Sequence, residues 1–338
     1  MKVIIVGCGA IGQVFGLFLQ KAGVELGLYD RPGTVEKLKL ALERGGLPLS
    51  RFRKRDPIAY RLENYQVLTD VGECQRFKPD QIWLATTSHV YYSEWFQEFL
   101  QNVPSQRVVC FAPEGGRPEF FPECGGRNMA GDRLVFGGIT FMSWQGDLDG
   151  GGGQPSGVNF WLPPLLTIPL IGTETACREV ATLLKSAGFR VALQKQDFQS
   201  TQATVTAVMT AFMAGLELSG WTFSAFRKSP WLKRAASASR EGFLSQLPGA
   251  GVLTRAFLGI LCSSKGFFMV TLFLPFLFPF DLEKYCTFHY TKTRDQTLTL
   301  LKVFERDGKI RGLPVDNIHT LLQCLLDKLP GSSSPPAV

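Results

Sequence analysis

Hydrophobic and polar positions follow two regimes along the chain. Up to about residue 193, apolar runs of strand length alternate with stretches of helical spacing; from residue 200 onward the spacing is helical nearly throughout. Lys2 to Val6 is a β-branched apolar run, and the apolar positions then switch to helical spacing through Phe15, Leu17, Phe18, Leu19 and Ala22. Further strands are predicted at 26–29, 66–68, 81–85, 107–111, 134–141, 158–161, 168–171 and 189–193. Helices are predicted at 34–44, with Thr34 as cap and Gly45-Gly46 as stop, and at 92–100 and 173–187. Residues 47–61 read as a polar, basic segment, and Gly150 to Gly153 as a hairpin tip. In the second regime, helices are predicted at 201–226, 231–246, 252–261, 292–307 and 315–326.

Between the first strand and first helix stands Gly7-Cys8-Gly9-Ala10-Ile11-Gly12, and the second strand ends at Asp30-Arg31, 18 positions after Gly12. In such a strand, glycine turn and helix, Gly7 permits the turn, Gly9 admits a pyrophosphate to the backbone, and Gly12 lets helix and strand approach. Ala10 and Ile11 open the helix, whose free amides face the phosphates. The Asp30 carboxylate suits a ribose 2′-hydroxyl, hence NAD; the Arg31 guanidinium suits a 2′-phosphate, hence NADP, and the reading leans to NADP. Strand carboxyl ends line the ligand crevice of a doubly wound sheet. That rule adds Thr86, Thr87 and His89 after one strand and Glu114 after the next. The fold class is therefore α/β: an N-terminal Rossmann-type doubly wound parallel sheet over 1–195, an all-α C-terminal domain over 196–328 and a disordered tail over 329–338.

Composition narrows the classes. A chain of 338 residues with 45% hydrophobic content supports two cores. The net charge of +7 is dispersed; the one basic cluster, Arg51, Arg53, Lys54 and Arg55, reads as a solvated loop and comes with no nucleic-acid motif. Eight cysteines stand singly, without ligand spacing, and read as reduced thiols of a cytoplasmic protein with no metal site. The first strand starts at residue 2, which argues against a signal peptide. Residues 266–280, GFFMVTLFLPFLFPF, carry no charge but are interrupted by Pro275 and Pro279. They read as a buried helix start and turn lining a subunit interface, as in a homodimer, or an apolar pocket, in preference to a membrane segment.

The N-terminal GCGAIGQVFGLFLQKAG, the middle GGITF with IGTETACREVATLLKSAGFRVALQKQDF, and the late RDQTLTLLKVFERDGKIRGLPVDNIHTLLQCLL together resemble the ketopantoate reductase family over roughly residues 1–328. The resemblance implies a Rossmann domain followed by a helical one, with a 2-oxo acid held in the cleft between them beside the nicotinamide of NADPH. It also implies where chemistry has changed. The family's lysine after the fourth strand falls on Thr87, and its asparagine after the next falls on Pro113 or Glu114. Its catalytic lysine falls on Gln202, its two helix asparagines on Thr206 and Thr210, and its substrate-binding glutamate on Gln296, beside Asp295.

Hydride transfer to a carbonyl builds negative charge on oxygen, which a lysine stabilises and protonates; glutamine only donates a hydrogen bond. Ketopantoate itself is therefore a poor expectation, and a different 2-oxo acid, ketone or imine is preferred, with Gln202, Gln296 and His89 as catalytic candidates. His289, Tyr290, Lys292, Arg294 and Asp295 form a second polar group, in which Arg294 could hold a carboxylate and Tyr290 or Lys292 act as acid. The alternative class is a non-catalytic dinucleotide-binding sensor or assembly partner that has lost the family's active site.

Overall fold

The computed structural model describes residues 1–53, 57–87, 90–91, 93–111, 133–146, 148, 157–194, 198–247 and 251–328, with backbone alone at 198–203. The expectations at Lys54, Arg55, His89, Tyr92, Glu114, Gly150 to Gly153 and the tail lie outside these residues. The chain divides into two compact units, Met1–Phe198 and Gln199–Val338.

The first unit is built on strands β1 (Lys2–Val6), β2 (Glu25–Tyr29), β3 (Leu47–Arg51), β4 (Ile58–Leu62), β5 (Gln66–Leu68), β6 (Gln81–Leu84), β7 (Arg107–Cys110), β8 (Leu134–Gly137), β9 (Met142–Gln145), β10 (Val158–Trp161), β11 (Ile168–Ile171) and β12 (Val191–Leu193). Its helices are α1 (Ala10–Lys21), α2 (Pro32–Glu43), α3 (Val71–Phe77), α4 (Glu94–Asn102) and α5 (Glu174–Ser186). The main sheet has eight strands in the order β12-β11-β8-β7-β6-β1-β2-β5. It is parallel from β5 to β8, with β11 antiparallel to β8 and β12 parallel to β11. Strand order reverses between β2-β1 and β1-β6, the switch point at which α/β sheets bind ligands.

β1 is buried on both faces, as its unbroken apolar run requires. Val3 and Ile5 pack in one core with Phe15 of α1 and Val180 of α5, and Ile4 and Val6 pack in another with Cys74, Phe96 and Phe99 of α3 and α4. Phe15 seats α1 on the sheet, its ring 5.4 Å from that of Trp83 and 4.2 Å from that of Phe111.

The basic segment after α2 is a strand pair. β3 and β4 join β10 and β9 in a second sheet, ordered β4-β3-β10-β9. The strand expected over 134–141 stops at Gly137 in the main sheet, and β9 follows it in the second sheet, where it pairs antiparallel with β10. α2 starts at Pro32, with Arg31 as its N-cap in place of Thr34, because proline's fixed φ suits a first helical turn.

The second unit comprises α6 (Phe198–Leu218), α7 (Phe223–Lys228), α8 (Trp231–Gln246), α9 (Val252–Leu261), α10 (Ser264–Phe273) running into a 3-10 turn (Leu274–Leu277), α11 (Leu282–Lys292), α12 (Arg294–Ile310) and α13 (Asp316–Asp327). The single helix expected over 201–226 is broken at Gly220 and Trp221, both at positive φ. The helix expected over 292–307 is preceded by α11, from which Thr293 separates it. Small residues Ala207, Ala211, Ala214 and Ala238 let α6 and α8 pack with the leucines of α12 and α13. Glu241 on α8, 7% exposed, accepts the Asn317 and Ile318 amides of α13 at 3.1 and 2.9 Å, satisfying that helix's first donors.

Residues 264–277 are not the buried helix start and turn expected. α10 buries only Phe267 and Thr271 among its ten residues, and the 3-10 turn buries none.

Candidate cofactor site

The glycine turn sits where β1 and β6 deliver their carboxyl ends together. Gly7 has φ of 94°, its amide donates to the Tyr29 carbonyl at 3.1 Å, and a Cβ there would lie 2.6 Å from Thr86 Cγ2 and 2.8 Å from the Ala85 carbonyl oxygen. A Cβ on Gly12 would run into the Gly7 carbonyl oxygen and lie 3.2 Å from Ile5 Cγ2. These two glycines serve the protein's own packing. Gly9 differs: it is exposed, has φ of −72°, which any residue adopts, and has no atom of the described residues within 4 Å of a Cβ position. The space beside Gly9 is open to a ligand.

Asp30 braces this turn. Its Oδ2 accepts the Cys8 amide at 2.7 Å and its Oδ1 accepts the Arg31 amide at 2.7 Å, which fixes the carboxylate against the loop. Buried Gln13 adds a bond from Nε2 to the Cys8 carbonyl at 2.9 Å. Arg31 is exposed at the end of β2. The Cys8 thiol is buried; burial first, then the Asp30 charge, pushes its pKa well up, so it is packing and not a nucleophile.

α1 begins at Ala10 and Ile11 with no side-chain cap and no acidic residue in its first turn, leaving its terminal amides and partial positive charge for a bound group. Opposite, Thr86 follows β6 with its Oγ1 buried and without a hydrogen-bond partner among the described residues. A buried hydroxyl left unpaired costs free energy that a ligand can recover. Thr87 is exposed. Open space at Gly9, free helix amides and an orphaned hydroxyl at the switch point together fit a dinucleotide pyrophosphate.

A groove of about 400 Å³ lined by Lys2, Glu25, Gln66 and Arg76 lies at the opposite, amino ends of β1, β2 and β5. It is away from the switch point. No cluster with metal-ligand chemistry occurs among the described residues.

In the helical unit, Gln202, Thr206 and Thr210 recur at every fourth position of α6 and so share a face. Thr206 is half-buried and Thr210 is 6% exposed; the Gln202 side chain lies outside the described residues. Seven positions after Thr210 stands Glu217, which sequence reasoning missed although it is the sole charge between Phe198 and Phe226. Glu217 is 4% exposed and ion-pairs through Oε1 with Arg294, whose side chain is 23% exposed. Burial raises the Glu217 pKa, and Arg294 and then Lys328 offset part of the rise. The carboxylate expected for Arg294 is thus supplied by the protein itself. Asp295 is exposed and Gln296 half-buried at the next two positions.

The neighbouring polar group is an aromatic stack. His289 lies parallel to Tyr285 at 5.4 Å and edge-on to Tyr290 at 5.0 Å, and Tyr290 faces Trp221 at 6.4 Å. Burial raises the Tyr290 phenol above its ordinary range, making it a weak acid at neutral pH. Burial, and then the Lys292 charge, lower the His289 pKa to about 4, so the native ring is neutral at pH 7. The unfolded chain protonates near pH 6.5, so the stabilisation from neutral His289 is complete above that pH and is lost as pH falls through 4. His289→Phe, which keeps the stack, is expected to lessen the stability lost between pH 7 and pH 4.5 by roughly 2 kcal/mol, read from urea unfolding at both values.

The sheet order and glycine turn define the first unit as a Rossmann-type dinucleotide-binding fold. Residues 3–111 match the family described as ketopantoate reductase PanE/ApbA. No curated protein sequence matches the chain. Among solved structures, a protein described as the probable 2-dehydropantoate 2-reductase of Bacillus subtilis shares 11% identity at a TM-score of 0.67, over 96% of this chain and 99% of that one. D-mandelate dehydrogenase, in a ternary structure with NADH and anilino(oxo)acetate, shares 16% at 0.64, over 97% and 98%. The dimeric ketopantoate reductase of Staphylococcus aureus shares 12% at 0.60, over 96% and 98%. At these identities the likeness is one of fold. Residues 3–111 thus resemble the ketopantoate reductase family model, and the fold of the solved reductases runs through nearly the whole length of the chain.

Proposed function

We propose that the protein is an NAD(P)H-dependent oxidoreductase that reduces a 2-oxo acid, ketone or imine other than ketopantoate. The observation that carries this reading is the braced glycine turn at the switch point, with the space beside Gly9 open among the described residues. Gly9, Ala10 and Ile11 would hold the pyrophosphate on the turn that Gly7 and Gly12 shape, and Thr86, Thr87 and Glu114 would flank the nicotinamide half. When bound, the reduced nicotinamide supplies the hydride.

Asp30 is committed to the Cys8 and Arg31 amides, whereas Arg31 is exposed at the position that reads the ribose. NADPH is therefore proposed as the preferred cofactor, with Arg31 on the 2′-phosphate. Arg31→Ala is expected to weaken NADPH about tenfold, consistent with loss of one charge-assisted contact, and to leave NADH within about twofold. Equal losses for both, measured by fluorescence titration, would remove this role from Arg31.

Gln202 and Gln296 are the proposed donors to the substrate oxygen or nitrogen, with Thr206, Thr210 and Asp295 as substrate contacts and His89 as a further acid. A protonated imine already carries the positive charge that a lysine would otherwise supply, which favours C=N substrates for a site with glutamine at position 202. The test is stereospecific oxidation of NADPH across a panel of 2-oxo acids, ketones and imines. Turnover of any member supports the reading. Tight cofactor binding with no turnover would favour the second reading, a dinucleotide-binding sensor, to which the change from the family's lysine to Gln202 also points.

A further inference from the structure

We infer that α9, α10 and the following 3-10 turn form a docking element that inserts shallowly into an anionic lipid surface. α9 buries no residue, and Val252, Leu253, Phe257, Ile260, Phe276 and Leu277 are 83, 87, 66, 72, 84 and 68% exposed. An apolar surface of this extent exceeds what a monomer ordinarily leaves in water.

Three observations select lipid as the occupant. First, residues 252–257 are exposed in succession, which at 3.6 residues per turn sweeps right round the helix. Val252, Leu253, Ala256, Phe257 and Ile260 share one face of the helix while Thr254 and Arg255 lie on the other, the amphipathic pattern of a helix lying in a membrane interface. Second, no single helix of the segment is long and apolar enough to cross. Val252–Leu261 and Ser264–Leu277 are bent by 63° to each other, and a ten-residue helix is about 15 Å long against a hydrocarbon core of about 30 Å. The element therefore reaches into one leaflet. Third, no acidic residue occurs from Gly242 to Phe280, where the charged side chains are Arg255 and Lys265, both exposed. α10 rests on α7, where Arg227 donates to the Thr271 carbonyl at 2.9 Å and the exposed Lys228 adds a further cation. An apolar wedge set among cations is complementary to anionic headgroups.

The test is flotation of the full-length protein with vesicles of phosphatidylcholine plus phosphatidylserine, and with phosphatidylcholine alone. Wild type is expected to float with the anionic vesicles and to be released by high salt. The triple variant Leu253→Glu, Phe257→Glu, Phe276→Glu is expected to bind at least tenfold more weakly with an unchanged unfolding temperature, because these side chains touch no core. Equal flotation with both vesicles would overturn the anionic assignment. Failure to float with either would overturn the lipid assignment, and if sedimentation velocity then showed wild type as a dimer and the variant as a monomer, the face would belong to a second copy of the chain.

Discussion

A Gly9→Val protein is expected to fold as wild type does and to bind NADPH roughly a hundredfold more weakly. The contrast with its neighbours makes the result specific. Among the described residues Gly9 has no atom within 4 Å of its Cβ position, and its φ is ordinary, so valine strains nothing there. Its cost to the protein is that of a poorer helix cap, on the order of 1 kcal/mol. The branched side chain instead fills the space assigned to the pyrophosphate and separates it from the amides of α1. Two charge-assisted hydrogen bonds lost there are worth about 3 kcal/mol, which is the hundredfold. Gly12→Ala should fail in the opposite way, by unfolding, because its Cβ meets the Gly7 carbonyl, which is backbone and cannot step aside. Circular dichroism melts beside cofactor titrations separate the two. Unchanged affinity in Gly9→Val would place the dinucleotide elsewhere.

Arg294→Met is expected to destabilise the protein by about 3 to 5 kcal/mol, the cost of leaving a buried charge without its partner. Glu217 is almost wholly enclosed and its pKa is raised by burial even with the guanidinium beside it. Removing Arg294 takes away the largest offset. The carboxylate then meets part of the cost by taking up a proton, so the sign of the pH dependence is fixed: a carboxyl whose native pKa is raised loses stability as pH rises through that value. The deficit of Arg294→Met should shrink on acidification. Pairing it with Glu217→Leu should recover most of the loss, since an apolar pair of similar volume is often no less stable than a buried ion pair. Denaturant midpoints of the three variants at pH 5 and pH 7 check this; a deficit independent of pH would show that Glu217 is not the group left stranded.

Much of the first unit was legible because its local signals agree. The shift from strand to helical spacing across Gly7 to Gly12 marks β1, the turn and α1, and the acidic residue at the end of β2 is the one that braces the loop. β3 and β4 were not legible, because in a small second sheet Ile58, Ala59 and Arg61 face solvent and the alternation resembles a polar loop. The break between α6 and α7 was hidden inside an apolar pattern: Trp221 holds positive φ, a conformation its residue type gives no warning of. Position 217 carried a signal, a single charge in an apolar helix, but its partner Arg294 lies 77 positions away and only the fold brings them together. For residues 264–277 composition measures apolarity, not burial. A core helix and a surface wedge are written alike, and the structure puts most of these side chains outside.

The central claim, that the turn at Gly9 holds a nicotinamide dinucleotide, is tested most directly by calorimetric titration of the full-length protein with NADPH and then NADH. The account predicts saturable binding of one dinucleotide per chain, tighter for NADPH. No binding heat with either cofactor across a range of temperatures would contradict it.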